Sequence, residues 1–256
     1  MTFPYISVAE ARARSGLRMV VVGDVPSPWG EAAKGILHIK GIEWAAVRLV
    51  YDDDSLKEWA GRRSGPVSIY DQEPPRAGWP EILLLAERLA PTPSLLPADP
   101  AERALMFGIG HEICGESGLG WSRRLQLIDA RVHNAGGFPE QVARYLGKKY
   151  GYRPESGAAA TSRVAALLRM LAARLRSQRA QRCRYYLGRS LTALDVYSAT
   201  FMALFRPLPP GQCAMQDTTR AAFETRDAQT EAALDPLLLE HRDMMYAEHL
   251  ELPLSL

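Results

Sequence analysis

The chain has 256 residues, 47% apolar and 23% charged, and a formal net charge of +2. Those proportions fit a soluble globular protein of one large or two smaller domains and exclude collagenous, disordered and disulfide-scaffold chains. No apolar run approaches the ~20 residues that span a bilayer, and the near-neutral balance gives no global argument for nucleic acid or a membrane surface. Glu10, Arg12 and Arg14 fall where a secretory signal would be apolar, so a cytoplasmic location is expected. Cys114, Cys183 and Cys213 are far apart and lack ligand spacing, which reads as reduced thiols and no metal.

Ser7 and Glu10 have capping-box spacing, predicting a short helix over 8–14 that stops before Gly16. The run Leu17 to Val22 is β-branched and reads as a strand buried on both faces. A turn from Asp24 to Gly30, with Pro26 and Pro28, leads into a helix carrying Ala33, Ile36, Leu37 and Lys40 on one side, ended by Gly41. Trp44 to Val50 is a second strand. Asp54 or Ser55 can cap a short helix through Trp59. Pro66 opens a third strand, Val67 to Tyr70, and Pro80 at a first helical position starts a helix to about Ala90. The alternation, with one further short strand before the last helix, predicts a small α/β layer domain.

Four prolines between Pro91 and Pro100 mark a linker. Beyond it no strand pattern recurs. Helical patterns cover about 99–117, parts of 121–150, 162–182, 193–205, 217–232 and 236–249. Asp235-Pro236 caps and opens the last of these. The expected division is an extension over 1–16, an α/β domain over 17–90, a linker over 91–100 and an all-α domain over 101–256. Charge divides as well: Ser156 to Leu194 holds eight arginines and no acid, whereas Asp217 to Glu251 holds nine acids. The arginines lie on the polar side of an amphipathic helix without interleaved aromatics. Pairing with the acidic helices, or solvation, is the reading, and not nucleic-acid binding.

Four segments, in this order and at these separations, resemble the glutathione transferase superfamily. They are Ser27-Pro28-Trp29-Gly30-Glu31 with Lys40-Gly41-Ile42; Gly65-Pro66-Val67; Ile82 to Pro91 with Leu95-Leu96-Pro97; and Tyr186-Leu187-Gly188 with Thr192-Ala193-Leu194-Asp195. The resemblance implies a thioredoxin-like glutathione-binding domain, an all-helical C-terminal domain, glutathione as cosubstrate and a two-fold homodimer. It implies that Ser27 stands where serine-type members carry the hydroxyl that stabilises the glutathione thiolate. Without it, Ser27 reads as an N-cap or turn serine. With Ser27 in place of Cys, a mixed disulfide at this position is impossible. Pro66 would be cis, so that Val67 offers its backbone at a strand edge to the cysteinyl unit; on the residues alone, a trans-proline starting an edge strand serves as well.

The sequence departs from the family before the third helix. Where many members carry an acid or amide followed by Ser for the γ-glutamyl end, this chain has Gly78 and Trp79. The backbone N–H groups and helix dipole beginning near Pro80 remain, with Lys40 and Arg76 as candidate carboxylate partners. Glu81 lies one step along the helix and is expected to point elsewhere. Trp29 and Trp79 either wall the pocket or serve as packing. His111, Trp121 and Arg124 flank a Gly-rich break that either widens the electrophile site or is a plain turn. The Gly-rich stretch 134–160 reads as a loop or insertion on the substrate side. The expected activity is glutathione-dependent transfer to a small hydrophobic electrophile, or peroxide reduction. The alternative is a non-catalytic binding protein with a weakened glutathione site.

Overall fold

Ser7 and Glu10 cap the first helix, α1 (Val8–Ala13), reciprocally: the Glu10 N–H donates to Ser7 Oγ at 3.2 Å and the Ser7 N–H to the Glu10 carboxylate at 2.7 Å. The computed structural model describes residues 4–256; residues 1–3 of the expected N-terminal extension lie outside the described residues. Residues up to Ser94, with Pro210–Met215 and His249–Leu256, form one compact unit, and Leu95–Pro209 with Gln216–Glu248 form a second. The two short segments belong by sequence to the helical stretch, yet they pack with the α/β unit. The Leu254 N–H donates to the Gln212 carbonyl at 2.7 Å, and Lys34 Nζ to the Ser255 carbonyl at 2.7 Å.

The first unit is thioredoxin-like. Strands β1 (Leu17–Val21), β2 (Trp44–Arg48) and β3 (Val67–Tyr70) lie in the order β2-β1-β3, with β2 parallel and β3 antiparallel to β1. All five β1 residues are buried, as their β-branched run predicts for a central strand. The fourth strand shrinks to one bridge between Ser68 and Arg76. Helices α2 (Pro28–Ile39) and α4 (Trp79–Leu89) pack together, while Leu56 and Ala60 of α3 (Asp54–Ala60) join Ala11, Val20, Val47 and Val67 in one core cluster. Asp53, and not Asp54 or Ser55, caps α3 through the N–H groups of Ser55 and Leu56. Pro80 stands second in α4 rather than first. Buried Arg18 ties the sheet to its connections, donating to the carbonyls of Ala11, Gly16 and Asp71 at 2.6–3.1 Å.

The second unit is entirely helical: α5 (Pro100–Cys114), α6 (Leu119–Val132), α7 (Glu140–Tyr150), α8 (Pro154–Ala180), α9 (Ala193–Phe201), α10 (Asp217–Glu224), α11 (Ala228–Ala233) and α12 (Pro236–Glu248). Asp195 is fully buried and is its polar hub. One carboxylate oxygen accepts the Thr192 N–H and hydroxyl, each at 2.9 Å; the other accepts the Tyr186 N–H at 2.9 Å and meets His241 Nε2 at 3.0 Å. The Thr192 hydroxyl therefore donates to the carboxylate, while the Asp195 N–H goes to the Thr192 carbonyl. His241 extends the cap to α12. The arginines of α8 and its following turn meet acids: Arg179 reaches Glu240 at 3.0 Å, and Arg176 and Arg184 pair with Asp235 and Glu248.

Residues 134–160 are not a loop. They hold α7 and the first turns of α8, where a glycine that reads as a breaker serves close packing instead: a Cβ on Gly157 would stand 2.2 Å from the Asp129 carboxylate. Gly137, at φ +80°, lies in the turn before α7. The expected single helix over 217–232 is divided at Thr225 to Asp227, where Asp227 caps α11 through the Thr230 N–H.

Candidate functional site

Ser27 occupies the N-cap of α2 with extended backbone angles (φ −67°, ψ 115°), followed by Pro28 at the first helical position. Its carbonyl accepts the Glu31 N–H at 2.8 Å, so the backbone does what an N-cap requires. The side chain does not: Ser27 Oγ makes no cap bond and has no hydrogen-bond partner among the described residues. Pro28 has no N–H to offer, which leaves that of Gly30 as an orphan donor of the first turn. A hydroxyl without a partner at a helix N-terminus is a place where an anion gains both a hydrogen bond and the helix dipole.

One turn further on, Glu31 and Lys34 form a buried ion pair at 2.7 Å, with side chains only 6% and 9% exposed. Burial pushes the Glu31 carboxyl up from its ordinary value, against the opposing pull of Lys34. The Lys34 ammonium also holds the Ser255 carbonyl, so the 249–256 segment covers this face of α2.

Lys40 is not available to a ligand. Its side chain is fully enclosed, and its ammonium meets the carbonyls of Ala90 at 2.7 Å and Pro93 at 2.8 Å and the Glu87 carboxylate at 2.7 Å. An ammonium has three donors, and all three are engaged. Lys40 locks the end of α2 to the end of α4.

The Gly65-Pro66 peptide is cis, but Val67 does not present its backbone at an edge. Ser68 exchanges both backbone hydrogen bonds with Arg76, each at 2.8 Å. Adjacent residues of an antiparallel strand turn their N–H and C=O groups to opposite sides. Those of Val67 therefore point to β1, where Val20 stands opposite. The edge beyond Ser68 is closed by Arg76.

At the start of α4, Glu81 turns back instead of pointing away. Its carboxylate accepts the Gly78 N–H at 2.8 Å and the Ala77 N–H at 3.2 Å. Gly78 permits this approach because a Cβ there would stand 2.9 Å from Glu81 Oε2. The two backbone donors that precede α4 thus already have an acceptor. The sequence signal was the Gly-x-x-Glu spacing, which is half of a capping box. Glu81→Ala should lower stability by about 1 kcal/mol, measured by urea denaturation of the whole chain. Arg76 donates to Glu73 at 2.6 Å through one terminal nitrogen, and its other terminal nitrogen, Nη1, is buried with no acceptor. Glu73 is also held by Arg88, and the two arginines keep its carboxyl below the usual range. Trp29 and Trp79 are half-buried in the first turns of α2 and α4.

In the helical unit, Trp121 and Arg124 lie one turn apart on α6. The Trp121 ring meets Tyr150 of α7 edge-on at 4.7 Å, and the Arg124 guanidinium lies over Phe138 and Phe223 at 5.4 and 5.3 Å. His111 does not join them; its ring sits over Gly115, where a Cβ would fall 2.4 Å from it. The helix break is Gly115 to Gly118, and Trp121 lies within α6 beyond it. Cys114 is buried, which raises its thiol pKa well above the ordinary value and leaves it unreactive. The described residues contain no group of three or more metal-ligating side chains, and no helix among them is long and apolar enough to cross a membrane. A cleft of about 600 Å³, lined by Arg14, Leu17, His38, Trp44 and Glu251 among others, opens by the first residues of β1 and β2. Ser27 follows the other end of β1.

No protein-family model matches the chain, and no curated protein matches it. Solved structures do. A glutathione S-transferase from Methylobacterium radiotolerans, in complex with glutathione sulfonate, aligns at TM-score 0.61 with 17% identity over 91% of this chain and 92% of its own. A glutathione transferase family member from Pseudomonas fluorescens, with two glutathione bound, aligns at TM-score 0.64 with 12% identity over 94% of each chain. Maleyl pyruvate isomerase, a bacterial zeta-class glutathione S-transferase, aligns at 0.53 with 19% identity over 86% of this chain and 98% of its own. The chain therefore has the glutathione transferase fold: a thioredoxin-like domain followed by an all-α domain.

Proposed function

We propose that the protein is a glutathione-dependent transferase of serine type, acting in the cytoplasm as a homodimer. The observation that carries the reading is the Ser27 hydroxyl, without a partner at the N-terminus of α2. A thiolate placed there accepts from Ser27 Oγ and feels the positive end of the helix. Both lower the thiol pKa from the ~8.5 of a free cysteine and raise the fraction present as nucleophile at neutral pH. Lys40 and Val67 have no part in holding glutathione, because their polar groups are committed elsewhere. Arg76 remains as the candidate cation for a ligand carboxylate. The acceptor is a small hydrophobic electrophile or a peroxide. Sedimentation at twice the 28.3 kDa chain mass is expected.

Removing one preorganised donor to a developing or bound anion lowers kcat by roughly 10²–10³-fold. Ser27→Ala should show a loss of that order toward a general aromatic electrophile with unchanged circular dichroism. Full retained activity would remove Ser27 from the mechanism.

The second reading is a binding protein with this fold and no turnover. Glu81 favours it, since its carboxylate already holds the Gly78 and Ala77 N–H groups. Calorimetric titration separates the two: heat of binding at millimolar glutathione supports the transferase, and silence together with no thermal shift supports the other.

A further inference from the structure

The cleft at the starts of β1 and β2 lies at the opposite end of β1 from Ser27, and the transferase reading gives it no task. It measures about 600 Å³, and all of its lining belongs to the α/β unit. Two glycines shape it. Gly16 and Gly41 line it with left-handed backbones, at φ +82° and +62°, and a Cβ on either would meet nothing within 4 Å. One turns the chain from α1 into β1 and the other from α2 toward β2. The space lies between these two turns.

The charges that line the cleft are of both signs and are not spent on one another. Arg14, which ends α1, makes no side-chain hydrogen bond or ion pair with any of the described residues. Its neighbours are engaged: Arg12 by Glu58 at 3.0 Å, and Arg18 by the carbonyls of Ala11, Gly16 and Asp71. Glu43 likewise has no cation against it among the described residues, while Glu251, the other acid of the cleft, faces His38 Nδ1 at 3.9 Å. Leu17 stands opposite Trp44 in the parallel pair of β1 and β2. Arg14, three residues before Leu17, and Glu43, one before Trp44, are therefore carried at adjoining ends of strands that lie ~4.8 Å apart. Beside them Ile42 and Trp44, both half-buried, give the cleft an apolar wall.

An anion alone would be drawn to Arg14 and repelled by Glu43, and a cation alone would meet the reverse. A ligand that carries both charges answers both residues. Charges borne on one carbon suit partners borne on adjoining strand ends, and a guanidinium fork suits a carboxylate in particular. We propose that this cleft is a binding site for a free α-amino acid with an apolar side chain. The ligand carboxylate meets Arg14, its ammonium meets Glu43, and its side chain packs against Ile42 and Trp44. The site does not depend on glutathione binding.

The test is calorimetric titration of the full chain, without glutathione, with phenylalanine, 3-phenylpropionate and 2-phenylethylamine. Phenylalanine should bind more tightly than either analogue by roughly tenfold or more, the worth of one hydrogen bond between charged groups. Arg14→Gln should abolish the preference over 2-phenylethylamine, which lacks the carboxylate, and keep the preference over 3-phenylpropionate. Glu43→Gln should do the opposite. Both residues are exposed, so the substitutions leave the fold intact. Equal affinity for the three probes, no binding at millimolar phenylalanine, or either preference surviving the variant that should abolish it would overturn the proposal.

Discussion

Replacing Arg123 by Met should lower the stability of the protein by about 3 kcal/mol and its melting temperature by roughly 10 °C, measured by thermal and urea denaturation. Arg123 is 1% exposed and sits at the centre of the helical unit. Its guanidinium donates to the carbonyls of Leu204 at 3.0 Å and Phe223 at 2.9 Å, to that of Thr225, and to Gln126 Oε1 at 2.5 Å. Gln126 in turn donates to Asp227 at 2.6 Å and Thr230 at 2.7 Å. Arg123 and Gln126 of α6 together hold the turn after α9, the end of α10 and the start of α11. Burial lowers its pKa to about 9, so at neutral pH it keeps its proton and all its donors. Met fills the apolar part of the space but leaves the acceptors buried without partners. A thermal shift of a degree or less would show that the unit tolerates their loss.

Lys40→Met should cost a similar amount, about 3–5 kcal/mol, because it strands the largely buried Glu87 carboxylate without its cation. The companion change shows the mechanism. The double variant Lys40→Met with Glu87→Leu should recover much of the loss, since replacing both charges removes the stranded one. Glutathione affinity, measured by calorimetry well below the melting temperature, should be unchanged in the double variant. A selective loss of affinity there would return Lys40 to the ligand site.

The layer order of the fold was legible because its signals are local. β3 is a β-branched run opened by a proline and is found at the expected residues, Val67–Tyr70. The Ser7–Glu10 box and the Asp235-Pro236 start also stand as read; the Leu237 N–H donates to Asp235 at 2.9 Å. The start of α8 was hidden because a glycine chosen for close packing has the same letter as one chosen for a turn. Gly157 lies in the first turns of α8, where Asp129 and Tyr152 leave no space for a side chain.

At the candidate site, the place of Ser27 could be read, since Pro28 and the following helix fix it as an N-cap. The fates of Lys40, Val67 and Glu81 could not. Whether a lysine at the end of a helix meets a ligand or three partners of its own chain depends on where residues 87–93 fold. Whether Val67 faces an edge or a neighbouring strand depends on register, in which one residue reverses the direction of every backbone group. Gly78-x-x-Glu81 carried its signal in plain view; the glycine drew attention to a missing side chain when its use is to admit one from the next turn.

The central claim is that Ser27 and the N-terminus of α2 stabilise a thiolate. The most direct measurement is a pH titration of the thiolate absorbance of bound glutathione in the native protein and in Ser27→Ala. The bound thiol should titrate at least one unit below the ~8.5 of a free cysteine, and Ser27→Ala should return most of that difference. Bound glutathione with an unshifted thiol, or a shift that Ser27→Ala leaves intact, would contradict the claim.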